Sequence, residues 1–192
     1  MVSGLPAKKY FVVLFHPETL TNVSTLQQVE ALLSAISCFK DYGFVFLGTN
    51  ADTNADVIRK KIKGFVSDNE NALYFENLHT DAYHYLVKNS VCLVGNSSSG
   101  IIEAPSLSVY TINIGDRQKG RVRGGSVIDV SCTKEDICSA VKRVIASADK
   151  APGENPYYKE NSVRLYYEKT KEILKSLSEW TSEPKIFFDL NI

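Results

Sequence analysis

Charge of neither sign is in excess: 22 Lys and Arg stand against 22 Asp and Glu. No global field therefore recruits nucleic acid or an anionic membrane, and any anion site has to be built locally. Long apolar runs are missing as well. None approaches the roughly 20 residues that a membrane span needs, and the opening MVSGLPAKKY has no apolar core that could act as a signal peptide. A cytoplasmic location and no membrane partner are the expectation. Cysteine is sparse: Cys38, Cys92, Cys132 and Cys138 form no Cys-x-x-Cys unit, and Cys92 lies in an apolar strand-like run. That pattern predicts reduced core thiols in preference to disulfides or zinc ligands. Only three histidines occur, with no metal triad among them, and no cofactor is expected.

What is present is enough apolar residue for a core, 44% of 192 residues. Short β-branched or aromatic runs alternate with longer segments of helical period. Strands are predicted at residues 10–15, 43–48, 72–76, 90–95 and 109–115, with a sixth at 126–131. Between them, Ser24 and Gln27 have capping-box spacing before a stripe of Leu26, Val29, Leu33 and Ile36. Further helices are predicted over 50–66, 80–89 and 134–148, the last capped by Thr133, and a final long one over 162–177. A short helix over 99–107 should stop near Pro105. No internal repeat or low-complexity segment is evident. The fold class is α/β, a Rossmann-like, mostly parallel sheet with helices on both faces. In such sheets ligands bind past the carboxyl ends of the strands. The residues there are His16, Asn50 with Asp52, Leu78 with His79, Asn96 to Gly100, and Gly115 to Arg121.

The stretch VGNSSSGIIEAPS brings Asn96, Ser97, Ser98, Ser99 and Gly100 to the start of a helix. Free backbone N–H groups, small side chains and hydroxyl donors suit a diphosphate there; the alternative is a serine-rich turn that only caps its helix. The Gly-Lys-Ser/Thr ending of a Walker loop is absent. Glu103, one turn on, has two acceptor oxygens suited to a ribose diol, or it is a surface glutamate favoured by the helix start. In NIGDRQKGRVRGG, four cations crowd seven residues: Arg117, Lys119, Arg121 and Arg123. Arg117, earliest after the strand, is the first choice for phosphate and Arg121 the second, against a solvated basic loop. His16, followed by Pro17, can donate to a phosphate or exchange a proton, or serve structure alone. His79 could cover a base, and His84 should be helical and partly exposed.

Taken in order, FHPET, VGNSSSGIIEAPSL and TINIGDRQKGR resemble the UDP-N-acetylglucosamine 2-epimerase family, most closely its hydrolysing, sialic-acid-pathway branch. The likeness runs from about residue 9 to 175 and implies the carboxyl-terminal half of a two-domain fold of GT-B type. Residues 1–8 would then be a lead, 9–178 a UDP-binding domain and 179–192 a tail. By resemblance, Ser97 and Ser98 belong to the phosphate-binding turn, Glu103 to the ribose contact, Arg117 to the nucleotide site, and His16 to catalysis. The family eliminates UDP across C1 and C2 of the sugar and rehydrates the product to N-acetylmannosamine. The departure is length: the resemblance implies an amino-terminal Rossmann domain carrying the proton-transfer carboxylates ahead of the first strand, and nine residues stand before Tyr10 in this sequence. The expected partners are UDP or UDP-N-acetylglucosamine and that missing domain, in cis or in trans, with a homo-oligomer as a further option. The alternatives are a UDP-sugar-binding module without turnover, or the nucleotide half of a GT-B glycosyltransferase. The long helix and the tail KIFFDLNI, with Phe187 and Phe188, are the expected interface candidates.

Overall fold

A computed structural model describes residues 9–49, 53–147 and 151–176. Six strands, β1 (Tyr10–Leu14), β2 (Gly43–Leu47), β3 (Ala72–Phe75), β4 (Leu93–Gly95), β5 (Thr111–Ile114) and β6 (Val127–Val130), form one sheet in the order β3-β2-β1-β4-β5-β6. Every neighbouring pair is parallel. The order reverses direction between β1 and β4, so the carboxyl ends of those two strands flank the crevice where such sheets place ligands.

Both faces of the sheet are covered, which is why β1 and β2 read as unbroken apolar runs. Phe11, Val13 and Phe15 point to one side, where they meet α1 (Thr25–Ile36), α2 (Ala55–Asp68) and α5 (Lys134–Ala146) through Val29, Ile58 and Ile137. Tyr10, Val12, Val45 and Leu47 point to the other, against Leu86 and Val87 of α3 (Thr80–Lys88). The Tyr10 hydroxyl donates to the Leu86 carbonyl at 2.8 Å and ties α3 to the sheet. The capping box is formed: Ser24 Oγ accepts from the Gln27 N–H while Gln27 Oε1 accepts from the Ser24 N–H. Thr133 Oγ1 likewise accepts from the Asp136 N–H.

Several sequence expectations shift. Leu26 is 42% exposed, and the inner stripe of α1 begins instead at Gln28, 2% exposed. Its amide satisfies the loop after β1, donating to the carbonyls of Glu18 and Val23 and accepting from the Glu18 N–H. The short helix is a single turn, α4 (Ser99–Ile102), ending at Glu103, and Pro105 lies inside the 3-10 turn Ala104–Leu107 that follows. Proline enters because the first positions of a turn need no N–H. Cys92 is buried, but Cys38 is exposed and Cys132 and Cys138 are half-buried, so only one of the four thiols belongs wholly to the core. All four are free.

The chain divides into two compact units between Tyr157 and Tyr158. The second contains α6 (Ser162–Ser176), which has no buried residue. Asn50, Asp52, Phe187 and Phe188 lie outside the described residues.

Candidate functional site

The crevice is built where β1 and β4 end. Gly95 closes β4 at φ 146°, and a Cβ there would collide with the Leu14 carbonyl, so only glycine lets the two strand ends approach. Directly beyond, Asn96 is buried and its side chain pairs with the His16 backbone: Oδ1 accepts from the His16 N–H at 2.7 Å, and Nδ2 donates to the His16 carbonyl at 2.9 Å. Asn96 therefore joins the loop after β1 to the turn after β4. The His16 ring, 3% exposed, has Nδ1 3.0 Å from Thr49 Oγ1 and lines the crevice.

The serine turn follows. The N–H groups of Gly100, Ile101 and Ile102 are spent on the carbonyls of Ser97 and Ser98, whereas those of Ser97 and Ser98 have no acceptor among the described residues. Gly100 packs against the Thr111 side chain, leaving no room for a Cβ. Ser97, Ser98, Ser99, His16 and Glu103 share a cavity of about 410 Å³ with Tyr83 and Leu78. His79, whose side chain is 84% exposed, is held outside it near Asp81. Glu103 Oε2 lies 2.8 Å from His84 Nε2. Tyr83, next to His84 on α3, has its hydroxyl 2.6 Å from Ser99 Oγ, and burial pushes the phenol pKa up to about 12. Sequence reading passed over Tyr83. The only signal was a hydroxyl-bearing residue at helical spacing with the buried Leu86 and Val87.

The basic loop contributes unevenly. Arg117 Nη1 donates to the Asn96 carbonyl at 3.2 Å, which brings this guanidinium to the root of the serine turn. It lines a separate cavity of about 700 Å³, with Pro17, Glu18, Asp116 and Lys119. Lys119 is paired with Asp116 at 3.1 Å. Arg123 is bound to Asp129 at 2.9 Å and to the carbonyls of Arg121 and Gln118. Arg121 is exposed and lines neither cavity. Gln118, also missed in sequence, is buried and donates to the Asn96 carbonyl at 2.8 Å beside Arg117. Among the described residues no group of three or more His, Cys, Asp or Glu is placed to hold a metal ion, and no helix is long and apolar enough to cross a membrane.

A parallel α/β unit with unspent backbone N–H groups and a carboxylate at its topological switch point is a Rossmann-like domain in class, a fold that takes its ligands at that crevice. Residues 1–171 match the UDP-N-acetylglucosamine 2-epimerase family, and the chain belongs to it. It is 45% identical over 194 residues to the polysialic acid biosynthesis protein P7 of Escherichia coli, covering 97% of this chain and 48% of that protein. Over 123 residues it is 37% identical to the GDP/UDP-N,N'-diacetylbacillosamine 2-epimerase (hydrolyzing) of Campylobacter jejuni, covering 64% of this chain and 32% of the relative. Among solved structures, the UDP-GlcNAc 2-epimerase of Neisseria meningitidis bound to UDP-GlcNAc superposes with a TM-score of 0.70 at 19% identity, over 85% of this chain and 45% of that one. The chain thus spans at most about half the length of these relatives.

Proposed function

We propose that this chain supplies the UDP-binding half of a hydrolysing UDP-N-acetylglucosamine 2-epimerase, working in the cytoplasm in sialic-acid or related amino-sugar synthesis. The observation that carries the reading is the serine turn at the β1/β4 switch point. Ser97 and Ser98, each with an unspent N–H group and a hydroxyl, line the same cavity as Glu103. The diphosphate sits on the turn, with Arg117 approaching from the Asn96 side, and Glu103 accepts from the ribose hydroxyls. His16 stabilises the leaving UDP.

Elimination also needs a base against the C2 proton, and this cavity offers a poor one. Its other carboxylate, Glu76, is engaged at Oε1 by Arg59 and at Oε2 by Tyr74 and Lys63. The Tyr74 hydrogen bond leads the causes that hold its pKa below the usual carboxylate value. The base is therefore assigned to a second domain, in cis or in trans, that closes over the crevice. Bound without it, substrate should persist.

Titration calorimetry tests the reading. UDP should bind the 192-residue chain weakly but measurably, and undetectable binding at millimolar UDP would refute a preformed site. Glu103→Gln should weaken UDP by about 1–3 kcal/mol while leaving inorganic pyrophosphate unchanged. Equal losses for both would remove the ribose role from Glu103.

A further inference from the structure

Two consecutive residues of α3 each touch one working part of the crevice, and neither belongs to the motifs that mark the family in sequence. Tyr83 reaches the serine turn and His84 reaches Glu103. The Tyr10–Leu86 bond fixes the helix that carries them to β1. Their neighbours Leu86 and Val87 are buried in the core, so the pair has a rigid base.

The hydroxyls form a directed chain. Ser99 Oγ donates to Ser97 Oγ at 3.2 Å, so its own proton is committed and the Tyr83 hydroxyl must be the donor in their 2.6 Å contact. Ser97 Oγ also accepts from the Ser99 N–H at 3.4 Å. Both of its lone pairs are then occupied, and its remaining capacity is to donate. It lines the cavity, so that proton is available to an anion there. Reversing the chain, with Ser99 donating to the tyrosine, would turn the Ser97 proton inward.

His84 acts on the other part. It is absent from the cavity wall, while Glu103 lines it. The imidazole Nε2–H is the donor to Oε2, since a carboxylate only accepts. Oε1 has no partner among the described residues, and the carboxylate is thereby fixed with that oxygen open.

We infer that α3 is a two-point support for recognition: Tyr83 is a positioning residue that directs the Ser97 hydroxyl toward the diphosphate, and His84 is a positioning residue that holds Glu103 for the diol. This rests on the UDP-binding reading above.

The two roles separate by ligand. Calorimetry on the 192-residue chain with UDP, 2′,3′-dideoxy-UDP and inorganic pyrophosphate distinguishes them. Tyr83→Phe should weaken all three by roughly 3- to 10-fold, because each carries the phosphates. His84→Leu should weaken UDP by a similar factor and leave dideoxy-UDP and pyrophosphate unchanged, and His84→Gln, which restores an N–H donor, should recover UDP. Thermal melts of the variants identify any general loss of structure. Wild-type binding with no split between ligands, or a His84→Leu loss shared by all three, would overturn the inference while leaving the UDP site in place. Failure of the wild-type chain to bind any of the three would overturn both.

Discussion

The serine turn and the basic loop both look like phosphate sites in sequence, and the structure separates them. The turn carries no cation, yet the N–H groups of Ser97 and Ser98 are unspent and its frame is rigid: Gly95 closes the strand ends, Asn96 grips the His16 backbone, and Tyr83 anchors Ser99. The loop carries four cations within seven residues, and most are committed to protein partners. Lys119 holds Asp116, Arg123 holds Asp129, and Arg117 reaches the Asn96 carbonyl. Available donors and their fixed placement make an anion site; a count of basic residues does not.

The largest test strikes the frame of the turn. Gly95→Ala places a methyl group against the Leu14 carbonyl at a φ that side chains rarely adopt. It should cost about 2–4 kcal/mol of folding stability, read by urea denaturation. A matching substitution in the loop, Gly120→Ala, also sits at positive φ but has open space around it, and should cost less. Equal costs would mean that the turn is no tighter than the loop.

Alkaline pH should come next. Tyr83 is pushed from 10.0 up to about 12 by burial, and Cys92 from 9.0 up to about 12 by the same cause. Each holds its proton more tightly folded than unfolded, so its contribution is complete below the unfolded value and is lost as pH climbs through 9–12. Tyr83→Phe should remove on the order of 2 kcal/mol of that decline, leaving the part carried by Cys92 and by the other groups that burial raises, Cys132 and Tyr10. An unchanged pH profile in the variant would show that the phenol is solvated in solution.

The smallest effects lie within the loop itself. Arg117→Ala should weaken UDP by about 1.5 kcal/mol, as expected for a charge-assisted contact at the root of the turn. Arg121→Ala, exposed and outside both cavities, should change it by less than about 0.5 kcal/mol, with most of that screened by salt. Matching losses would restore the loop as a phosphate site in its own right.

These regions also mark what the sequence could disclose. β1 and β2 are legible because strands buried on both faces leave unbroken apolar runs, and the caps at Ser24 and Thr133 because their signals lie within a few residues. The start of β4 is not, since Val91 and Cys92 already carry the apolar pattern before the strand begins at Leu93. The serine turn and Glu103 stand out as one local cluster and do share a cavity. The spent state of the basic loop is invisible because its partners come from other segments, Asp129 on β6 and Asn96 after β4. Tyr83 and His84 escape for the same reason. Nothing local says that α3 lies beside a turn 16 to 19 residues further on.

The amide of Asn96 imitates a peptide unit, offering one donor and one acceptor to the backbone of His16. It adds a rung to the β1/β4 ladder beyond the place where both strands have ended. A histidine that belongs to a loop by sequence thereby acquires the immobility of a strand residue, and its amide proton should exchange with solvent on the timescale of the core and not of the surface. Strain applied to the serine turn is passed through that rung into β1, so the histidine and the turn are displaced together or not at all.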